Sequence, residues 1–415
     1  MPEIIFNFEV HQPMRLKWFG IEHKPHHANN IEDLDDFYFD HAKNKYHLSL
    51  AVKKCYLPAN KIILEQINRF RNNEKKFKVS YSISGILLEQ LKRYGYENVI
   101  DSFRELYETG CVEFISETYF HSLSSLWGVE RKEFIEQIKM HQELLKELFG
   151  ITEFKVFRNT EFLYNNMIAK TVRSLGYSAI FTEGHEKVLG WRSANYIYRP
   201  PYHISDIKVL LRNYQLSDDI GYRFSAKWWG AWPLLAEKYA HWLSNCQGSV
   251  INLCMDYETF GEHHWQETGI FDFLKKLPEE IIKQKWLSFS TPSEAVKKYE
   301  PVGIVDVFEY NTVSWADLER DTSAWLGNKM QLFAFNELKN LEPKLKKLND
   351  KKLTHIWRCL QNSDHLYYAC TKGWGDGDVH CYFSPYSTPI DGFLNYLTII
   401  NDLKYRIEEK LRLTA

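Results

Sequence analysis

The chain has 415 residues, of which 52 are Lys or Arg and 54 are Asp or Glu, so its net charge is −2. This balance argues against a nucleic-acid-binding protein and against a polybasic surface for anionic membranes. A hydrophobic fraction of 44% excludes a disordered chain, and the length predicts one barrel-sized domain with a smaller second unit.

Short runs of β-branched and aromatic residues alternate with longer amphipathic stretches, which is the pattern of βα units. Residues 130–149 predict the clearest helix, because apolar side chains and His141 recur there at helical spacing and Gly150 follows. In chain order the predicted strands are 3–8, 77–83, 111–115, 153–157, 178–182, 207–211 and 249–255, with a weaker strand at 286–290.

The pattern changes after about residue 300. Helical stretches rich in Lys, Leu and Glu, such as 329–348, replace the strands, and a Gly-, Asp- and Tyr-rich insert covers 371–391. We therefore predict an α/β fold with a βα barrel over residues 1–300 as the catalytic domain and a helical unit over 301–415 packed on it.

A polar or charged cluster follows nearly every predicted strand. Because the loops after the strands of a βα barrel share one rim, these clusters are predicted to converge although they lie far apart in sequence. The clusters occupy residues 11–13, 82–84, 117–121, 158–161, 183–185 and 256–264.

The segment 157–166 (FRNTEFLYNN) places Glu161 just past a predicted strand, with Arg158 and Asn159 beside it. Such neighbours keep a carboxylate ionised, as a nucleophile requires. Two structural interpretations stay open: Glu161 caps the helix that starts near Asn165, or it pairs with Arg158.

The segment 254–265 (CMDYETFGEHHW) carries three carboxylates, Asp256, Glu258 and Glu262, among aromatic side chains. Repulsion between them raises the pKa of one, which suits a general acid. One nucleophilic and one acidic carboxyl group are the minimal equipment of a retaining glycosidase. The alternative interpretation is a solvated acidic loop.

The histidines invite a metal interpretation. His23, His26 and His27 are close in sequence, but Pro25 makes it hard for one helical face to present the first and the last of them, so no metal is predicted. Glycine-rich phosphate-binding motifs and the Gly-x-Ser-x-Gly motif are missing from the sequence, so neither a nucleotide cofactor nor serine hydrolase chemistry is expected.

Seven scattered cysteines without a Cys-x-x-Cys pair indicate reduced thiols. The first residues lack the pattern of a secretory leader and no apolar run suits a membrane span, so a cytoplasmic location is expected. The 13 Trp, 25 Tyr and 26 Phe suit a sugar ligand, whose ring faces pack on aromatic rings, although an ordinary aromatic core is the alternative. Trp228, in a polar stretch, is a candidate wall of a sugar groove.

Five short segments, taken together and in order, resemble the five sequence regions of glycoside hydrolase family 57. The resemblance implies an incomplete (β/α)7 barrel followed by a helical region, and action on α-glucans with retention of configuration. The third and fourth segments are most similar to members described as α-amylases. The segments are 11–13 (HQP), 110–114 (GCVEF) with His121, 157–161 (FRNTE), 255–263 (MDYETFGEH) and 364–368 (DHLYY).

By this resemblance Glu161 is the nucleophile and Asp256 the general acid/base. The expected partner is an α-glucan or maltooligosaccharide, with no metal, cofactor, nucleic acid or membrane, and the helical region is expected to close the groove. The oligomeric state is not predicted. The residues expected to bind substrate are His11, Glu113, His121, Arg158, Glu258, His263, Trp228 and Asp364.

Three alternatives stay open. A 4-α-glucanotransferase or a branching enzyme uses the same double displacement with a sugar hydroxyl as acceptor. A metal-dependent enzyme similar to deacetylases or mannosidases uses a similar barrel and needs an aspartate and histidines around one ion. A glycan-binding protein without catalysis keeps the aromatic groove and tolerates the loss of either carboxylate.

Overall fold

The computed structural model describes residues 2–19, 34–373 and 382–414. The chain divides into two compact units. The first consists of Met1–Gln12, Tyr46–Thr118 and Ile138–Trp315, and the second of Pro13–Lys45, Tyr119–Gln137 and Ala316–Ala415. The division is therefore not a single cut, and the first unit continues past residue 300 to Trp315.

One sheet forms the centre of the first unit, and the predicted strands are all present in it. A two-residue strand, β6, was not predicted, because so short a run carries no periodicity. In chain order the strands are β1 (Glu3–Val10), β2 (Val79–Ile83), β3 (Val112–Ile115), β4 (Val156–Arg158), β5 (Ala179–Glu183), β6 (Ile197–Tyr198), β7 (Lys208–Arg212), β8 (Val250–Asp256) and β9 (Ser288–Phe289).

Seven parallel strands follow one another around the sheet in the order β3-β2-β1-β8-β7-β5-β4. The two ends of this row meet, since Ser116 and Phe157 form a parallel bridge and the Arg158 N–H donates to the Ser116 carbonyl at 3.0 Å. β6 pairs antiparallel with β7, and β9 pairs with β1. The architecture is a nearly closed seven-stranded barrel, which confirms the predicted fold class.

Side-chain alternation explains which residues face the inside of the barrel. In β1 the even-numbered residues Ile4, Phe6 and Phe8 pack in the large apolar cluster that includes the surrounding helices. Ile5 instead joins a second cluster, to which β3, β4, β5, β7 and β8 also contribute. Glu9 shares the face of Ile5, so its side chain belongs to the barrel interior.

The predicted helix over residues 130–149 is confirmed as Lys132–Phe149. Its predicted face is buried, and Gly150, with a φ of 71°, ends it by donating its N–H to the Lys146 carbonyl. In chain order the helices are α1 (Leu34–Tyr38), α2 (His41–Ala51), α3 (Leu57–Arg69), α4 (Gly85–Arg93), α5 (Glu97–Glu108), α6 (Lys132–Phe149), α7 (Asn166–Ser174), α8 (Glu186–Leu189), α9 (Tyr214–Gly221), α10 (Ala236–Ser244), α11 (Ile270–Lys283), α12 (Pro292–Lys298), α13 (Ser323–Leu326), α14 (Lys329–Lys339), α15 (Glu342–Leu348), α16 (Lys351–Cys359), α17 (Ser363–Tyr367) and α18 (Pro389–Thr414).

The regular structure of the second unit, where it is described, is mainly helical. The stretch 329–348, for which the sequence predicts helical structure, forms two helices, α14 and α15. The first helix ends at Asn340, and Pro343 fits the first turn of the second. The long helix α18 is held by a buried carboxylate, Asp402, which accepts hydrogen bonds from Tyr38 at 2.5 Å and Arg406 at 2.7 Å. In the part of the chain that the structure describes, every helix is too short or too polar to span a membrane.

Candidate active site

Charged side chains from five strands of the first unit reach the carboxyl-terminal end of the barrel. Each lies on the interior face of its strand and at or next to the strand's last residue, so the clusters predicted at 158–161, 183–185 and 256–264 share one rim. These residues are Glu9 of β1, Arg158 of β4, Glu183 of β5, Arg212 of β7 and Asp256 of β8.

Glu161 lies in a tight turn, Thr160–Phe162, directly after β4. Its φ of 56° and ψ of 23° are left-handed, and Phe162 also has a φ of 56°. Such a conformation costs a residue with a side chain about 1–2 kcal/mol, which the surrounding structure must offset. The turn is fixed by Asn159, whose side-chain amide donates to the Leu163 carbonyl at 2.9 Å. The half-buried Glu161 side chain therefore projects from a strained backbone that the turn holds in place.

The two structural interpretations of Glu161 are not what the structure shows. The cap of α7 is Asn165, whose side-chain oxygen accepts from the N–H groups of Met167 and Ile168. The Arg158 guanidinium donates to both carboxylate oxygens of Glu9. The Glu161 Oε2 atom accepts a hydrogen bond from the indole Nε1 of Trp315 at 2.7 Å.

Asp256 ends β8 and pairs in register with Glu9 of β1. Burial raises the pKa of the Asp256 carboxyl group well above its usual value, and the negative charges of Glu9, Glu258 and Glu161 raise it further. Arg158 opposes this shift. A carboxyl group in this environment holds its proton more firmly than an exposed aspartate does, which suits a proton donor, and the charge of Glu161 is one of those that act on it.

Glu258 follows in a short turn after β8 and is 4% exposed. Burial raises its pKa to about 7, although hydrogen bonds from Tyr56 and Gln12 oppose the shift. The Tyr56 hydroxyl donates to Glu258 Oε1 at 2.5 Å. The turn carries a second buried side chain, Tyr257, so the interpretation of this segment as a solvated acidic loop is wrong.

Two buried arginines form ion pairs with carboxylates at the rim of the barrel. Arg158 and Glu9 form a two-pronged ion pair inside the barrel. Arg212 donates to Glu183 at 2.9 Å and to the Cys254 carbonyl at 2.8 Å, and it also contacts Asp218. Because removal of one partner from a buried pair leaves an uncompensated charge, these pairs fix the positions of the strand ends.

The other predicted residues of the first unit occupy different environments. His11 shares a hydrogen bond of 2.7 Å between its Nδ1 and the Ser84 hydroxyl, at the ends of β1 and β2. His263 is half-buried, and burial lowers its pKa to about 4, so it is neutral at physiological pH. Trp228 is 73% exposed, which contradicts a core role for this indole and leaves it available to a ligand.

Glu113 lies deeper in the barrel than the other predicted residues. Its Cα pairs with Ser80, which pairs with Asn7, two positions before Glu9 along β1. The Glu113 carboxylate accepts hydrogen bonds from the Ser293 N–H, at 2.9 Å, and from the Ser293 hydroxyl.

The remaining two predicted residues, His121 and Asp364, belong to the second unit. His121 is buried with a φ of 51°, and its carbonyl accepts from the Ser363 N–H at 3.0 Å. Asp364 lies in the first turn of α17, but the cap of that helix is Asn362, not Asp364. The Asp364 carboxylate accepts a hydrogen bond from the Tyr368 hydroxyl, and its charge raises the pKa of that buried tyrosine beyond the effect of burial.

The histidines weighed as metal ligands, His23, His26 and His27, lie outside the described residues. In the second unit Asp35, Asp36 and His41 offer ligand atoms within 4.8 Å of one another. The imidazole Nε2 lies 3.0 Å from Asp35 and 3.3 Å from Asp36, so direct contacts of the imidazole with the two carboxylates account for this group.

Three residues at or near the rim were not predicted from the sequence. Glu9 continues the alternation of inward- and outward-facing side chains in β1 beyond the predicted end of that strand. Extending this period of two by one residue would have predicted it. Tyr56 and Trp315 carry no local signal, because they meet their partners across 202 and 154 positions of sequence.

A family model and a curated relative both match most of this chain. Residues 5–308 match the sequence model of the family described as Glycosyl hydrolase family 57. A curated protein of Methanocaldococcus jannaschii with the name "Putative alpha-amylase" is 50% identical over 416 residues, which cover 98% of this chain and 85% of the relative.

Solved structures share the fold. A GH57 branching enzyme from Thermococcus kodakaraensis superposes with a TM-score of 0.66 at 15% identity, over 98% of this chain and 90% of that chain. A 4-alpha-glucanotransferase from Thermococcus litoralis gives a TM-score of 0.62 at 17% identity, over 88% of this chain and 56% of that chain. The present chain thus spans little more than half of the glucanotransferase, and at these identities the similarity shows the fold alone.

Proposed function

The chain belongs to glycosyl hydrolase family 57, and from this premise we propose that it is an α-amylase-type enzyme that cleaves α-1,4-glucosidic bonds with retention of configuration. The observation that carries the proposal is the unequal pair of carboxyl groups at the barrel rim. Asp256 has a strongly raised pKa, whereas Glu161 accepts an indole hydrogen bond. Such a pair supplies one proton donor and one nucleophile.

In the first step the Asp256 carboxyl group gives its proton to the glycosidic oxygen as the bond between that oxygen and C1 breaks. A Glu161 oxygen forms a bond to C1, and the leaving chain departs as an alcohol. The product on the enzyme is a glycosyl ester of Glu161 with inverted configuration.

In the second step the Asp256 carboxylate removes a proton from water. The water oxygen attacks C1, the ester bond to Glu161 breaks, and the second inversion restores the α configuration. The negative groups around Asp256 favour its return to the protonated state, because they raise its pKa. The active site is then ready for another turnover.

The same residues perform transfer when a sugar hydroxyl replaces water in the second step, as in a 4-α-glucanotransferase or branching enzyme. The outcome depends on how well the acceptor position excludes water. We also propose a cytoplasmic location, which the scattered cysteines without a Cys-x-x-Cys pair support.

Product analysis tests the proposal. The protein is incubated with amylose and with maltooligosaccharides, with and without a chelator, beside the Glu161→Gln variant. We expect shorter maltooligosaccharides and new reducing ends from wild type under both conditions, and none from the variant.

The other outcomes separate the alternatives. Longer chains without a gain in reducing ends indicate glucan transfer, and new α-1,6 linkages indicate branching. Loss of activity on chelation that zinc restores would favour the metal-dependent class. Binding of glucan without turnover would identify a glycan-binding protein.

A further inference from the structure

Trp315 contacts the proposed nucleophile through both its main chain and its side chain. Its backbone N–H donates to the Glu161 carbonyl at 3.2 Å, and its indole Nε1 donates to Glu161 Oε2 at 2.7 Å. Two residues earlier, Val313 and Tyr164 exchange backbone hydrogen bonds of 3.0 Å in each direction. Backbone hydrogen bonds thus join residues 313–315 to residues 161–164.

The indole itself is held by rigid neighbours. The guanidinium carbons of Arg158 and Arg212 lie 4.7 and 5.5 Å from its ring centroid, and the Phe162 ring lies 5.0 Å away. Each arginine is fixed by a buried carboxylate of the barrel. Cation–π attraction to these arginines therefore holds the indole in place relative to the strand ends. The N–H group that donates to Glu161 is held in place with it.

We propose that Trp315 is a positioning residue that holds the Glu161 carboxylate in the orientation needed for attack on C1. The inference rests on the proposed function, in which Glu161 is the nucleophile. A glutamate side chain has several rotatable bonds, and a nucleophile that samples many orientations attacks more slowly. The hydrogen bond removes this freedom, while the left-handed backbone at Glu161 sets the starting direction of the side chain.

The test separates nucleophile positioning from acid catalysis. Trp315→Phe keeps an aromatic ring and loses the N–H group. We expect kcat on maltooligosaccharides to fall on the order of 10- to 100-fold with KM within about twofold, the effect of losing a hydrogen bond to a charged group. The same loss is expected with α-maltosyl fluoride, because fluoride departs without a proton and attack by Glu161 is still required.

A matched control is Trp242→Phe, which changes a half-buried indole that lies 5.5 Å from the Lys238 ammonium group in the same unit. It should leave kcat unchanged. If Trp315→Phe does not fold, 3-benzothienylalanine at position 315 replaces only the N–H by sulfur and keeps the shape of the ring.

Two results would overturn the inference while wild type remains active. Unchanged kcat after removal of the N–H would show that the hydrogen bond is dispensable. A loss that disappears with α-maltosyl fluoride would show that Trp315 acts through the acid step. Wild type inactive on both substrates would instead overturn the proposed function, and this inference with it.

Discussion

Asp256 and Glu161 are both carboxylic acids, and their surroundings give them different chemistry. Asp256 lies among Glu9, Glu258 and Glu161, whose charges add to the effect of burial and raise its pKa. Glu161 sits outside the strand in a turn, where a neutral N–H donor faces its carboxylate. In the proposed mechanism, the carboxyl group at the strand end is the proton donor and the one in the turn beyond the strand is the nucleophile.

Glu258 provides a test of this electrostatic account. Its negative charge raises the pKa of Asp256, so Glu258→Gln should lower that pKa. The general acid then loses its proton at lower pH, and the alkaline limb of kcat/KM should move to lower pH by on the order of one unit. Because the pKa of Glu258 is about 7, its charge is present mainly above that pH, and the acidic limb should not move.

The measurement is the pH dependence of kcat/KM on a maltooligosaccharide for wild type, Glu258→Gln and Glu267→Gln. The last variant removes an exposed carboxylate from the same loop and serves as the control. An alkaline limb that stays in place, or moves to higher pH, in Glu258→Gln would contradict the electrostatic account of Asp256.

At the scale of elements, the strands were predictable because apolar residues fill both faces of a barrel strand. The polar residues that interrupt the interior face are then conspicuous. Asp256 follows Cys254 on the interior face of β8, and Arg158 follows Val156 on that of β4. Local pattern therefore located Arg158 and Asp256 at their strand ends, although it missed Glu9 of β1.

Other parts of the site were not predictable from local pattern. Tyr56 reaches Glu258 from a π-helical turn, Val52–Tyr56, far away in sequence. The change of sequence pattern after about residue 300 places Trp315 in the predicted helical unit, whereas Trp315 belongs to the first unit. Such contacts depend on the path of loops, which sequence periodicity does not describe.

Gly261 shows how tightly the loop after β8 is packed. Its φ is 108°, and a Cβ atom there would lie 2.0 Å from the Lys54 carbonyl oxygen. Gly261→Ala must therefore displace backbone and should lower the free energy of unfolding by about 3 kcal/mol or more. Denaturant unfolding of the variant measures this loss.

The matched substitution is Gly95→Ala. Gly95 also has a positive φ, of 80°, but a Cβ atom there meets nothing within 4 Å. It should cost only about 1 kcal/mol, the backbone term alone. Equal losses in the two variants would show that the contact with Lys54 does not constrain the loop.

At the scale of the whole molecule, the match to the family ends at residue 308, whereas the curated relative covers 98% of the chain. The two proposed catalytic residues belong to the first unit, and Asp364 belongs to the second. We propose that Asp364 accepts hydrogen bonds from sugar hydroxyls, as the resemblance of its segment implies.

Asp364→Asn should therefore lower kcat by on the order of tenfold with a smaller change in KM, because such bonds strengthen toward the transition state. Tyr368→Phe is the matched variant, since it removes only the hydroxyl that the Asp364 carboxylate contacts. Steady-state kinetics of the two variants provides the measurement. Unaltered kinetics in Asp364→Asn, or equal losses of kcat in both variants, would leave Asp364 with a structural role only.

In the proposed mechanism Glu161 becomes covalently attached to the sugar, and Asp256 serves both steps. In Asp256→Ala, α-maltosyl fluoride still reacts in the first step, since fluoride needs no proton, but the second step lacks its base. Mass spectrometry of the reacted protein and of its peptides should then find one maltosyl group, attached to Glu161, and none after the additional change Glu161→Gln. The absence of an adduct, or an adduct on another carboxylate, would show that Glu161 is not the nucleophile.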